Sequence, residues 1–314
     1  MKTENHVPLT YLTRGEVAEL LPPIPEQLDL IERTYKAVAE GRVEMPPKPG
    51  VHPRENAFIH AMPAYLADDD VAAIKWVAGY PDNAQSGLPY ISGLIVINDA
   101  ATGQAVAVMD GAEITAARTA AASGVCIRRW APQGWGTVAI LGCGEQGVYH
   151  ARVVTALNPT AKILAFDPLR ERVSALPGDV TAVDDPREAC EHAEVVITAG
   201  PIIENPEPIL TPDLLADRWL LLPVDFDFYA HASTIEQADL FAVDDVPQFE
   251  YYRRGRHFGN WPDPTGSVGA LLAANEGGER VACVNLGVGA LDAAFGHVVH
   301  EQAAQRQLGL SLER

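Results

Sequence analysis

The run Gly142-Cys143-Gly144-Glu145-Gln146-Gly147 spaces three glycines as G-x-G-x-x-G. It follows the short apolar segment Thr137 to Leu141 and leads into a stretch of helical character, Gln146 to Leu157, the context that a pyrophosphate-binding turn requires. In that setting Gly142 permits a tight turn and Gly144 lets the backbone approach a diphosphate. Gly147 lets the helix pack on the strand while its N–H groups face the anion. Asp167 stands twenty residues beyond Gly147, at the end of a second apolar segment, where a carboxylate can accept hydrogen bonds from ribose hydroxyls. Strand, triplet, helix and acid in register point to a bound dinucleotide, with Glu145 and Gln146 inside the turn. A carboxylate at Asp167 repels a ribose 2′-phosphate and favours NAD over NADP, while Arg170 and Arg172 close by keep NADP open.

A dinucleotide turn names a cofactor and not a reaction, so the remaining polar residues must supply the chemistry. Lys75 lies among apolar neighbours in Ile74-Lys75-Trp76-Val77, which looks like a strand, and Arg118 lies in an alanine-rich helix where packing needs no long cation. Either residue reads as an ion-pair partner or as a contact for an anionic ligand. Asp225 follows the apolar run Leu220 to Val224, and in open α/β sheets ligands sit beyond the carboxyl ends of strands. Asp227, two residues on, competes for the same role, and either acid could be a loop carboxylate or a helix cap. His60, in Ile59-His60-Ala61-Met62-Pro63, reads as a donor lining a pocket or as a core histidine satisfied by backbone.

Among the elements that hold these residues, Leu28, Ile31, Tyr35 and Val38 recur at helical spacing between Pro25 and Gly41, and Pro46 and Pro47 end the pattern. A strand-rich stretch comes next. Leu94 to Asn98 and Ala105 to Met109 flank a polar connector that suits an antiparallel hairpin. Asp110 stands at a helix-cap position before the helix Ala112 to Arg129. From Gly136 onward the chain alternates strands (137 to 141, 162 to 166, 195 to 199, 220 to 224) with helices, which implies a parallel, doubly wound sheet. The tail from Gly287 to Gln307 reads as an amphipathic helix that crosses back to the first domain. The expectation is a Rossmann-type dinucleotide-binding domain, residues 127 to 286, inserted in an α+β substrate and dimerisation domain of residues 1 to 126 plus 287 to 314.

Composition excludes several classes. Twenty-three basic against forty-two acidic residues give the 314-residue chain a formal charge of −19, which repels nucleic acid and anionic membrane. No apolar run is long enough to span a bilayer, and Arg14, Glu16 and Glu19 in the first twenty residues break any leader-peptide pattern, so a soluble cytoplasmic protein is expected. Cys126, Cys143, Cys190 and Cys283 are scattered without zinc-site spacing, so buried reduced thiols, no disulfide and no metal are expected.

Taken in order and spacing, Ile74 to Asn83, Met109 to Ala120, the hairpin, the glycine turn and the strand end at Asp225 resemble the ornithine cyclodeaminase and mu-crystallin family over nearly the whole chain. The resemblance implies that Lys75 and Arg118 hold a substrate carboxylate and that Lys48, after Met45-Pro46-Pro47, supplies a third cation. Met62 and His60 line the substrate side, Thr119 and Thr198 join the cofactor set, and Asp225 is the catalytic acid. It also implies a homodimer, a small amino, imino or 2-oxo acid as ligand, and NAD-dependent imino acid reduction or the reverse oxidative deamination. A cyclodeaminase that releases ammonia with NAD bound and a non-catalytic mu-crystallin-like binding protein are the alternatives. The chain departs from the family in two places. Phe226, Asp227, Phe228 and Tyr229 follow Asp225 where a proline and a Gly-Lys turn are usual. His60 stands where the cyclodeaminases have an acid to meet a distal amine, and a histidine cannot neutralise an ammonium group.

Overall fold

Two sheets of different character organise the chain. The computed structural model describes residues 7–203, 205–255 and 257–313. These fall into two compact units. Unit 1 holds the chain up to Pro23, Glu40–Arg118 and the chain from Val288 onward, and unit 2 holds Ile24–Ala39 and Thr119–Gly287.

In chain order, β1 (Leu9–Leu12) leads into α1 (Arg14–Leu20), which starts at a capping box between Thr13 and Glu16. After α2 (Ile24–Ala39) come β2 (Val43–Glu44), β3 (Gly50–Val51), β4 (Phe58–Leu66), β5 (Val71–Gly79), β6 (Ile91–Asp99) and β7 (Ala105–Asp110). The Asp110 carboxylate caps α3 (Ala112–Trp130) by accepting from the Ala112 N–H at 2.9 Å. Unit 2 continues through β8 (Thr137–Leu141), α4 (Glu145–Leu157), β9 (Lys162–Phe166), β10 (Asp179–Ala182), α5 (Pro186–Cys190), β11 (Val195–Thr198) and β12 (Trp219–Pro223). It ends with α6 (Ala232–Glu236), β13 (Leu240–Val243), α7 (Val246–Arg253), β14 (Gly266–Ser267), α8 (Val268–Ala274) and β15 (Arg280–Val284). Then α9 (Gly289–Arg306) and β16 (Leu310–Leu312) return to unit 1.

In unit 1 the strands run in the order β16-β1-β7-β6-β5-β4-β2, with β3 on β4, and β4 through β7 form an antiparallel meander. Alternation decides which residues face α9. On β5, Val71, Ala73, Lys75 and Val77 are buried together, while Trp76 points the other way and is half exposed. Helix α9 packs on β4, β5 and β6, and it can lie this close because Gly289 stands against the backbone oxygens of Met62 and Pro63 and Gly296 against Ile97. Its first two turns, Gly289 to Gly296, are buried throughout, so the tail is a core helix there and not the amphipathic helix that its composition implied.

Unit 2 is the expected doubly wound sheet, with eight strands all parallel in the order β10-β9-β8-β11-β12-β15-β13-β14. Strands β11, β12 and β13 are buried along their whole length, as strands covered on both faces must be. The chain leaves β8 toward β9 on one side and returns to β11 on the other, so the two carboxyl ends of β8 and β11 bound a topological switch point. Helix α2 packs with this unit. Leu28, Ile31 and Tyr35 form its buried stripe, and Gly269 on α8 lies against the Tyr35 carbonyl where a Cβ would come within 2.0 Å of the oxygen. The domain boundary read at residues 126/127 therefore differs from the division of the compact units, which falls between Arg118 and Thr119 inside α3; periodicity cannot see a boundary within one unbroken helix.

Candidate functional site

Chemistry-bearing residues gather at two places, one in each unit. In unit 2 the glycine turn sits at the carboxyl end of β8. Gly142 adopts φ +100, and a Cβ there would lie 2.3 Å from the Ala199 carbonyl oxygen, so only glycine fits between β8 and β11. A Cβ on Gly147 would stand 2.3 Å from the Gly142 carbonyl oxygen, which explains the third glycine as a helix-to-strand contact. Gly144 is different. At φ −74 it has no conformational need for glycine, and nothing lies within 4 Å of its missing Cβ, so the turn keeps an open face there. The Asp167 carboxylate, at the end of β9, accepts from the N–H of Cys143 at 2.8 Å and from the N–H of Leu169 at 2.8 Å. Two further lone-pair directions remain on it. Glu145 and Gln146 open α4, and the buried Gln146 Oε1 has no hydrogen-bond partner. Burial and the Asp167 charge push the Cys143 thiol up to about 12, which keeps it inert.

Asp225 follows β12, the neighbour of β11, and is 2% exposed. Its Oδ1 accepts from the Thr198 hydroxyl at 2.5 Å and its Oδ2 from the Gly200 N–H at 2.7 Å, which ties it to the end of the strand beside the glycine turn. Burial pushes its carboxyl up to about 7 against the opposing pull of those two hydrogen bonds. Gly200 lies under the rings of Phe228 and Tyr229, so the aromatic residues that replace the usual turn close over this carboxylate's anchor. Between the two acids, Phe226 is held at φ +63, a left-handed conformation rare for a bulky side chain, by rings of Tyr252, His257 and Phe258. Asp227 is engaged elsewhere, accepting from the Phe258 N–H at 2.7 Å and pairing with His257 Nδ1 at 3.1 Å. Thr198, expected in the cofactor set, has its hydroxyl committed to Asp225. Thr119 is buried on α3.

In unit 1 the β4 to β5 register sets Met62 opposite Lys75 and His60 opposite Val77, so His60, Met62 and Lys75 share one buried face. Lys75, 1% exposed, donates from Nζ to Asp292 Oδ1 at 2.8 Å and to Thr115 Oγ1 at 3.2 Å. Arg118, one turn beyond Thr115 on α3, donates from Nε to the same Asp292 oxygen at 3.1 Å. Burial, then the Arg118 charge, pull the Lys75 ammonium down to about 7, with Asp292 resisting. Lys48 is buried between β3 and the end of β2, and its charge is felt by both Lys75 and His60. Burial, then Lys48, drive His60 down to about 3, so it is neutral at physiological pH; its ring stacks on Phe58 at 4.4 Å. Asp292 was missed by sequence reasoning. An acid in the first turn of a helix reads as an ordinary partner of the helix dipole, and the only hint was an acid set among small apolar residues in Gly-Ala-Leu-Asp-Ala-Ala-Phe.

The four cysteines are free thiols, all buried, with Cys126 and Cys283 sulfurs 3.2 Å apart in unit 2. No helix of the described residues is long and apolar enough to cross a membrane.

A family model, that of the ornithine cyclodeaminase/mu-crystallin family, matches residues 10–233 of this chain. The chain belongs to the ornithine cyclodeaminase/mu-crystallin family. A family relative, the nodulation efficiency protein NfeD of Rhizobium meliloti, is 35% identical over 315 residues, which takes in 96% of this chain and 98% of that protein. Alanine dehydrogenase of Archaeoglobus fulgidus is 29% identical over 196 residues, covering 60% of this chain and 59% of that enzyme. The solved structure of Thermococcus litoralis Δ1-pyrroline-2-carboxylate reductase in complex with NADH and L-proline matches with a TM-score of 0.82. It does so across 96% of this chain and all of that one, at 23% identity, a likeness of fold.

Proposed function

We propose that this family member is an NAD(H)-dependent enzyme that reduces a small α-imino acid to the amino acid, or catalyses the reverse oxidative deamination. The observation that carries the reading is Asp225: a carboxyl buried at the strand end next to the dinucleotide turn and pushed up to about 7, where a group can both give and take a proton near neutrality. The likeness to an alanine dehydrogenase, at 29% identity, supports the same bond between carbon and nitrogen as the point of reaction.

The turn fits a dinucleotide because the face beside Gly144 is open and the Gly142 and Gly147 contacts leave no room for larger residues. Gly142, Gly144, Gly147 and the first turn of α4 would hold the diphosphate, and Asp167 the adenosine ribose, which favours NAD. Arg172 lies 3.8 Å from Asp167, so a cation also stands beside that position, and the preference for NAD rests on the Asp167 carboxylate. When bound, the nicotinamide supplies or accepts the hydride.

The chain's own residues do the rest. Lys75 and Arg118 clamp the substrate carboxylate, with Lys48 adding positive potential, and the clamp supplies orientation. The task proposed for Asp225 is to deliver the proton that accompanies reduction of C=N, or to take it up in the reverse direction. His60 is neutral and offers no anion to a distal ammonium, which weighs against a diamino acid and so against cyclodeamination. The assembly we propose is a homodimer of cytoplasmic protein.

The test is NADH oxidation followed by absorbance across a panel of 2-oxo acids with ammonium or methylamine, with Lys75→Ala and Asp225→Asn as controls. Amine-dependent turnover lost in both variants supports the reading. Ammonia release from a diamino acid without net oxidation moves the assignment to the lyase, and tight binding without turnover moves it to a ligand-binding protein.

A further inference from the structure

Asp292 is a buried acid that the proposed reaction leaves without a task. It is 1% exposed in the first turn of α9, and its Oδ1 receives both Lys75 Nζ at 2.8 Å and Arg118 Nε at 3.1 Å. Its Oδ2 is buried and has no hydrogen-bond partner. A carboxylate present only to neutralise an arginine normally offers both oxygens to the guanidinium fork. Here two cations from different elements converge on a single oxygen instead. Arg118 makes this bond through Nε, so its Nη1–Nη2 edge, the one that grips a carboxylate with two parallel bonds, lies outside it.

We infer that Asp292 is a positioning residue of the substrate clamp: it gathers Lys75 and Arg118 at one point and helps to hold charge on the Lys75 side chain for an incoming carboxylate. This rests on the reading of Lys75 and Arg118 as the clamp. Burial, the Arg118 charge from α3 and the Lys48 charge from the segment before β3 all act to remove the Lys75 proton. From α9, Asp292 opposes them by charge and by hydrogen bond. His60 on β4 is neutral, and Thr115 on α3 brings only a hydroxyl. Asp292 is therefore the counterweight that leaves Lys75 charged in part at neutral pH. Without it the clamp keeps two cation positions but loses charge at one of them.

The full-length protein carrying Asp292→Asn, an isosteric change, separates this role from packing. Lys75 is titrated by the pH dependence of its reductive methylation, read by mass spectrometry, which needs no turnover. The expected result is a midpoint lowered by about one unit or more, with KM for the carboxylate substrate raised about tenfold above neutral pH, kcat changed less, and the KM defect shrinking below pH 6 as Lys75 regains its proton. Asp292→Glu keeps the charge and displaces it by one methylene, so the Lys75 midpoint should return toward the wild-type value while KM stays raised. An unchanged Lys75 midpoint in Asp292→Asn overturns the inference. If the asparagine variant does not fold, a wild-type KM in Asp292→Glu overturns it instead. Absence of amine-dependent NADH oxidation in the wild-type protein would overturn the proposed reaction, and the Lys75 titration would still judge Asp292.

Discussion

At the scale of the residue, the same physical cause acts with opposite sign on Lys75 and Asp225. Burial disfavours the charged form, so it pulls an ammonium down and pushes a carboxyl up, and both arrive at about 7. For Asp225 this has a consequence for stability. Its folded value lies above its unfolded one, so the folded state holds the extra proton between about pH 4 and 7. The stabilisation from that proton is complete below pH 4 and is lost as pH rises through 7. Asp225→Asn, which cannot ionise, should therefore show a thermal midpoint that falls less than the wild-type midpoint between pH 4 and 7, and parallel curves would refute the buried-acid account. The same variant should lower kcat by about a hundredfold or more if the proton moves through this group. His60 and Asp227 show the limits of reading residues singly. Sequence alone left each with two roles, and only their surroundings separate them: burial, then the charges of Lys48, His52 and Lys75, make His60 neutral, while His257 and the Phe258 N–H occupy Asp227.

At the scale of the element, the glycine turn separates into two kinds of glycine. Gly142 and Gly147 are demanded by the fold, because a Cβ would strike backbone oxygens at 2.3 Å, whereas Gly144 faces open space. Gly144→Ala should thus unfold at the wild-type temperature and bind NADH about tenfold or more weakly in a fluorescence titration, since its methyl group enters the space where a diphosphate would approach. Gly147→Ala should lose stability as well, by roughly 1–3 kcal/mol in denaturant unfolding. A Gly144→Ala variant that binds NADH as wild type would sink the assignment of the turn. Elements are also joined by a buried polar chain in unit 2. Tyr35 donates to Asn285 at 3.2 Å, Asn285 to Ser123 at 3.4 Å, and Ser123 to His150 Nε2 at 2.9 Å, while His150 Nδ1 donates to the Gln146 carbonyl at 2.8 Å. It links α2, α3, α4 and the end of β15, and burial keeps His150 neutral, down at about 4, so the chain stays satisfied across physiological pH.

At the scale of the whole molecule, a formal charge of −19 gives no long-range attraction to the anionic acid of the proposed reaction. In that proposal the binding is local, from the buried unit 1 cations Lys48, Lys75 and Arg118, where the effective dielectric is low. The sheet face opposite α9 carries Trp76 and Leu94 paired across β5 and β6, at 49% and 43% exposure. Large apolar side chains exposed side by side favour burial against another surface, and a second copy is the partner we propose. Sedimentation should give a dimer, and Trp76→Glu with Leu94→Lys should yield a monomer with the same circular dichroism; a wild-type monomer would remove the proposal.

The sequence by itself determined the parallel sheet, the hairpin, the cap at Asp110 and the glycine turn, because each is written in contiguous residues whose period or spacing survives without tertiary context. Strand ends and helix limits such as Ile24–Ala39 and Trp219–Pro223 shifted by a residue or two from the pattern, as hydrogen-bonded ends do. What only the tertiary structure decided is everything that depends on an anion meeting a cation. Lys75 and Asp292 are 217 positions apart, and they touch because Gly289 and Gly296 let α9 press onto β4, β5 and β6. No local pattern records that approach. Burial, which sets the protonation of Lys75, His60 and Asp225, is likewise a property of the packed molecule and not of any segment of the chain.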